Sequence, residues 1–310
     1  MSNGGIQQSE AESQAAVFGR GFRFLILVCA VMFPVAFWVL VNPATARAAW
    51  AEVARIIPFK GQAGVHVSGE RVSEAVLARM GAQQQAEALL RAAIDHSPGA
   101  GEQIRARVPA WRGHLVSSAQ LAGLVETALN SPELCLRATG IQVELGLNNL
   151  AEDSASAKAL IARVHSDPAA RPWGLWMLGA LGGQGVETGR ILPVLSAYTR
   201  DPNQQTRFWA VEGLSLLGNN ESIAPLLTAL RSDAAQPVRE GAASALGRSG
   251  MLRKEQRLSA VPALIDDASD GSLDPATHRL AYAALHDITG ARVADTPAAW
   301  RAYWAAKGTR

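Results

Sequence analysis

Chemistry needs nucleophiles, bases or metal ligands at spacings that let them converge, so those residues come first. The six histidines are His66, His96, His114, His165, His278 and His286. None sits in an HExxH, an HxH or a Cys/His cluster. His278 and His286 stand eight apart on one expected helix, so two turns separate them on similar faces. A two-histidine metal site is the sharp reading of that pair; a helix-end imidazole and a solvent-facing one is the simpler reading, and the one adopted. Cys29 and Cys135 lie in unrelated contexts, without companions at metal-ligand spacing. The stretch Gly179–Gly185 (GALGGQG) follows an expected helix instead of a strand, so it reads as an inter-helix turn and not a dinucleotide fingerprint. No GxSxG elbow is present. Glu152-Asp153 and Asp266-Asp267 are adjacent carboxylates of the kind that cap helices or face solvent. The expectation is a non-enzymatic protein, with no catalytic, cofactor-binding or metal-binding residue assigned.

Two residue sets remain that can recognise something. Arg171, Arg207, Arg239 and Arg279 recur beside Asp167, Asp201, Asp233 and Asp274. They can form a binding stripe, but the regular pairing fits better an internal ladder between repeated units. The aromatic residues Trp173, Trp176, Phe208 and Trp209 occupy matching stretches of two successive units. Large aromatics of this kind anchor protein interfaces, and these four are the expected partner-binding residues. The partner is expected to be a protein of unspecified identity. Nucleic acid is excluded as a partner on charge: 29 Lys and Arg against 27 Asp and Glu leave a net charge of +2, with no basic block.

The elements that must position these residues show themselves as a repeat. A proline turn recurs at Pro98, Pro132, Pro168, Pro202, Pro237 and Pro275, at intervals of 34, 36, 34, 35 and 38 residues. Ser or Asp before Pro marks a helix start, because the side chain accepts from free N–H groups and Pro fits the first turn. Each of Arg171, Arg207, Arg239 and Arg279 is followed eleven positions later by a glycine: Gly182, Gly218, Gly250 and Gly290. These glycines are the expected C-caps. Between them, small residues (Gly174, Ala210, Ala242) let helices approach, and Leu178, Leu214 and Leu246 supply a core stripe. A second helix in each unit begins at Ile191–Leu195, Ile223–Leu227 and Val261–Ile265, each with an early proline. Met251–Ala260 (MLRKEQRLSA) inserts a basic stretch expected to project as a longer loop.

The segment from Pro237 to Gly247 (PVREGAASALG) and the Ile-x-Pro-Leu-Leu element at Ile223–Leu227 resemble HEAT repeats of the lyase-like bacterial subfamily. The resemblance is plain over about 131–290, and degenerate through Val72–Met80, Ala86–Ile94 and Leu121–Leu129. Ala284–Gly290 (ALHDITG), followed by Asp295, Trp300 and Trp304, is similar to the closing segment of many bacterial HEAT-repeat proteins. Four residues apart on one helical face, Trp300 and Trp304 are expected to cover the apolar end of the last repeat. The resemblance implies an all-α chain, a right-handed α-solenoid of HEAT-like helical hairpins, an armadillo-like architecture.

Before this array, Phe24 to Val41 (FLILVCAVMFPVAFWVLV) is apolar and uncharged, about the minimum length to cross ~30 Å of hydrocarbon. The expected organisation is a disordered tail over 1–21, a single transmembrane helix or signal anchor over 22–42, and a linker over 43–69. Degenerate helical repeats follow over 70–130, then the solenoid with its C-terminal cap over 131–310. Arg20 and Arg23 before the segment, with small-x-small alanines at 44–48 after it, leave a cleaved, secreted form as the alternative to a retained anchor. The expected location is a bacterial inner membrane, single-pass, with the C-terminal domain in the periplasm.

The function these features imply is a membrane-anchored scaffold or adaptor that binds a protein through its repeat surface. The alternative, carried only by the lyase-type resemblance, is a role in bilin attachment or chromophore assembly.

Overall fold

The computed structural model describes residues 71–308. Among them stand fifteen α-helices and no strand. An Ala- and Leu-rich chain cut by Gly and Pro at regular intervals has the propensity for this outcome and no β-branched runs to oppose it. In chain order the helices are α1 Glu74–Leu77, α2 Ala82–Ile94, α3 Ala100–Trp111, α4 Ala119–Leu129 and α5 Leu134–Leu147. They continue with α6 Ser154–Ser166, α7 Arg171–Gly183, α8 Thr188–Tyr198, α9 Gln204–Leu217 and α10 Ile223–Ser232. The last are α11 Gln236–Ser244, α12 Lys254–Ser259, α13 Val261–Asp267, α14 Pro275–Thr289 and α15 Pro297–Gly308.

Helices α3, α5, α7, α9, α11 and α14 follow one another in one layer, each touching the next. Their hairpin partners α2, α4, α6, α8, α10 and α13 form the other layer. This alternation is that of an α-solenoid, in which each unit buries its apolar stripe against its neighbours. The transmembrane segment expected at 22–42 lies outside the described residues, as do the tail and the linker. Among the described residues, no helix is long and apolar enough to cross a membrane.

The core divides in two. One cluster runs from Val72 to Val143 and includes Leu77, Leu89, Leu90, Ile104 and Trp111. The other runs from Ile141 to Trp300. The two meet on α5, whose Leu136 and Val143 join the first while Ile141 and Leu145 join the second. Buried on nearly every side, α5 contributes buried residues to both cores, and Leu129 of α4 packs against both.

The tightest approach is between α7 and α9. A Cβ on Gly179 would overlap the Gly213 carbonyl, and one on Gly213 would stand 2.6 Å from the Leu175 oxygen. Backbone therefore rests on backbone there, a contact that only glycine permits.

Two sequence expectations need correction. Gly218 and Gly290 are left-handed C-caps, at φ of 56° and 66°. Gly182 instead lies inside α7 and Gly250 is extended. Gly182 is small because Leu217 presses on it; Gly250 follows the π-helical turn Ala245–Ser249 that ends α11. The basic insertion is also no open loop. Its Lys254–Ser259 portion is the short helix α12, opened by Gln256 accepting from the Arg253 N–H at 2.8 Å and held by buried Leu252 and Ala260 at its ends.

Candidate partner-binding surface

The recurrent arginines lie near the starts of the helices in the first layer, and each reaches one repeat onward. Arg171 meets Asp201 at 3.6 Å, Arg207 meets Asp233 at 2.7 Å, and Arg239 meets Asp274 at 3.8 Å. The Arg207 pair is forked: Nε and Nη2 donate to the two Asp233 oxygens at 2.7 and 3.0 Å. The hydrogen bond to Asp233 raises the Arg207 pKa against the pull of its partial burial, so the guanidinium is firmly charged. Each arginine also donates to a main-chain oxygen ahead of its own helix: Arg171 to Val164 in the last turn of α6, and Arg207 to Asp201 and Arg239 to Asp233 in the connecting turns.

The aspartates are doubly used. Asp201 accepts from the Asn203 N–H and Asp233 from the Ala235 N–H, both at 2.8 Å, shaping the turn that starts the next helix. One side chain thus builds a turn and ties the preceding repeat to it. Arg279 ends the series exposed, while Asp274 at the start of its own helix pairs back to Arg239 and accepts from the Ala276 N–H of α14.

Arg137 occupies the same position in the preceding unit, and the sequence pattern missed it. It donates to the Ser131 carbonyl as its equivalents do, but finds no carboxylate. Its Nη2 donates instead to the Gly250 carbonyl at 2.7 Å, 113 residues away. Asp167, which would be its ladder partner, is turned to the Ala169 and Ala170 N–H groups and toward Arg163. Burial lowers the Arg137 pKa, and the nearby Arg257 charge adds to that.

The four aromatic residues are placed differently from one another. Trp176 is 8% exposed and belongs to the core. Trp173, Phe208 and Trp209 are half-buried against that core. Trp173 and Trp209 are equivalent, two positions after Arg171 and Arg207, on adjacent helices. The Trp173 indole N–H donates to the Asn148 side-chain oxygen at 3.1 Å, and Arg163 stacks over its ring at 5.5 Å. Phe208 meets Trp209 edge-on at 5.6 Å and lies beside the space over Gly241 on α11.

The other residues considered for chemistry are engaged singly. His278 bonds the Asp270 carbonyl at 2.8 Å, while His286 bonds the Ala291 carbonyl and Asp295, so the two do not converge. Asp153 caps α6 through the Ser156 N–H at 2.7 Å. Asp267 is buried against Arg231, and burial raises its carboxyl above the usual range despite that arginine. Cys135 is exposed. Among the described residues no three His, Cys, Asp or Glu side chains stand where they would hold a metal ion. One shallow groove of about 470 Å³ opens between α10 and α12, floored by Ile223 and Leu227 and edged by Arg253 and Glu255.

Residues 156–247, which cover α6 to α11, match the family model described as HEAT repeats. With the two-layered stack and its inter-repeat ladder, this match supports a HEAT-repeat protein. No curated protein matches the chain.

Proposed function

We propose that this protein is a non-enzymatic scaffold, anchored to a membrane by residues 22–42, which binds a protein partner across the outer faces of α7 and α9. HEAT repeats as a class suggest a protein-interaction role. The observation that carries the finer reading is the repetition of a half-buried tryptophan, Trp173 and then Trp209, at one position of adjacent helices, with Phe208 beside the second. Half-burial fixes each ring from behind and leaves an edge for a partner, while Trp176 supports the row from inside.

The bilin reading draws on the stretch Pro237–Gly247, but its residues are structural. Val238, Ala242 and Leu246 are fully buried, and Arg239 is part of the ladder. Such residues would recur in any HEAT array and carry no activity with them. A tetrapyrrole absorbance on the purified protein would nevertheless replace the scaffold by that alternative.

The test is a photo-crosslinking amino acid placed at 173, at 209, and at the exposed Glu126 of α4 as a control, in full-length protein expressed in native membranes. One discrete adduct shared by 173 and 209 and missing from 126 is expected. Absence of adducts at both tryptophan positions, in a protein that keeps its helical spectrum, would remove this surface. A topology reporter after Arg310 checks the side of the membrane.

A further inference from the structure

The closing motif that the sequence singles out comes together in three dimensions as one cluster. His286, near the end of α14, has both ring nitrogens on acceptors: Nδ1 lies 2.8 Å from the Ala291 carbonyl and Nε2 lies 2.7 Å from Asp295. Its ring meets Trp300 of α15 edge-on at 5.0 Å. Trp300 is fully buried and belongs to the same core as Ile265, Leu285 and Ile288. Between α14 and α15 runs only the segment 290–296, opened by the left-handed Gly290 cap. The imidazole therefore ties both ends of the connection that brings the capping helix onto the last repeat.

A main-chain carbonyl can only accept, and Asp295 is an acceptor when ionised. Both contacts are hydrogen bonds only if both ring nitrogens carry protons, which is the imidazolium. A neutral ring keeps one N–H, so one of the two acceptors then faces a lone pair. We propose that His286 is a proton-operated latch: charged, it closes the 290–296 connection and seats α15; neutral, it releases one side and loosens the cap.

The charges around the ring favour the closed form. Burial works against the charge, yet the Ala291 carbonyl, Asp295 and Asp287 outweigh it and hold the pKa above the ordinary 6.5. Asp287, on α14, is itself approached by Arg248 from the turn after α11 at 3.8 Å. From α15, Arg301 is close enough to Tyr282 to affect it, together with Asp295, and Tyr303 meets Trp300 edge-on at 5.6 Å. Because the folded pKa is raised, the latch's contribution is complete below about 6.5 and is lost as pH rises through the folded value.

The experiment uses full-length protein. The His286 pKa is read by NMR, assigned by its loss in His286→Gln, and amide exchange in α15 is compared with that in α9 across pH 6 to 9, corrected for intrinsic rates. A pKa above 6.5 is expected, with α15 protection falling several-fold relative to α9 across the transition. In H286Q that pH dependence should vanish, and in Asp295→Asn the His286 pKa should fall while the fold is retained. A His286 pKa at or below 6.5, or an α15 profile that changes with pH equally in wild type and H286Q, would overturn the latch.

Discussion

Arg207 and Asp233 show what a single residue contributes to this array. Their side chains are 16% and 4% exposed, and the fork between them joins two repeats while the same aspartate shapes a turn. Removing one partner of a largely buried pair leaves the other charge without compensation, which costs more than the pair itself gains. Arg207→Met should therefore destabilise the protein by about 2–4 kcal/mol in urea denaturation. Arg207→Lys, which keeps the charge and loses the fork, should recover part of that loss. A loss within experimental error for R207M would strip the ladder of energetic weight. Asp267 is the opposite case, a carboxylate whose burial outweighs its arginine and raises its pKa. A raised folded pKa means that its contribution is present below the ordinary 3.8 and lost as pH climbs through the folded value. Asp267→Asn should match wild type near pH 3.5 and exceed it in urea midpoint at pH 7; a variant weaker than wild type at pH 7 would show that the Arg231 contact prevails.

At the scale of elements, the glycines separate by what surrounds them. Gly213 on α9 faces the α7 backbone, with the Leu175 oxygen 2.6 Å and a Leu195 methyl carbon 2.7 Å from any added Cβ. Gly123 on α4 has nothing within 4 Å. Gly213→Ala should force α7 and α9 apart and cost about 1–3 kcal/mol or more as overpacking. Gly123→Ala should instead stabilise by about 0.5–1 kcal/mol through helix propensity. Thermal unfolding of the two variants side by side checks both signs. The same comparison explains what could be read from sequence. The Arg-to-Gly spacing of eleven is set by helix length, so it located α7, α9 and α14 well. It could not tell a capping glycine from one required by a neighbour, because that distinction lies in the facing helix. It also passed over α5, where Asn148 stands at the eleventh position after Arg137 and the left-handed residue is Asn149 at φ 57°. Asparagine tolerates that conformation nearly as glycine does, so the repeat was present under a different residue type. Helix α3 was equally hidden, since its Trp111 is held through the indole N–H on Gln85, a contact without local signature. The aromatic row was legible as residues, but which tryptophan faces the core depended on packing.

For the whole molecule, the consequential contact is the one that breaks the ladder's rule. A solenoid stabilised only by nearest neighbours has no need for communication across several repeats. Arg137 nevertheless runs from α5, the helix shared by both cores, to the Gly250 carbonyl beyond α11, and it does so without a carboxylate partner. Arg257 donates to the Gly247 carbonyl in the same turn, so two guanidinium groups converge on one helix end. Carbonyls at a helix C-terminus carry partial negative charge, which offsets part of the cost of placing two cations there. This makes Arg137 a staple between the helix that carries residues of both cores and the turn that ends α11. Arg137→Met retains the apolar stem and removes both the charge and the two donors. Its main effect should be on cooperativity: wild type should unfold in one urea transition, and the variant in two. The earlier transition should be reported by Trp111 in the first core, and the later by Trp176 and Trp300 in the second. Single-tryptophan versions of the two proteins would resolve them. If R137M lowers the midpoint but both cores still unfold together, the shared α5 helix alone couples them and the staple adds stability without communication.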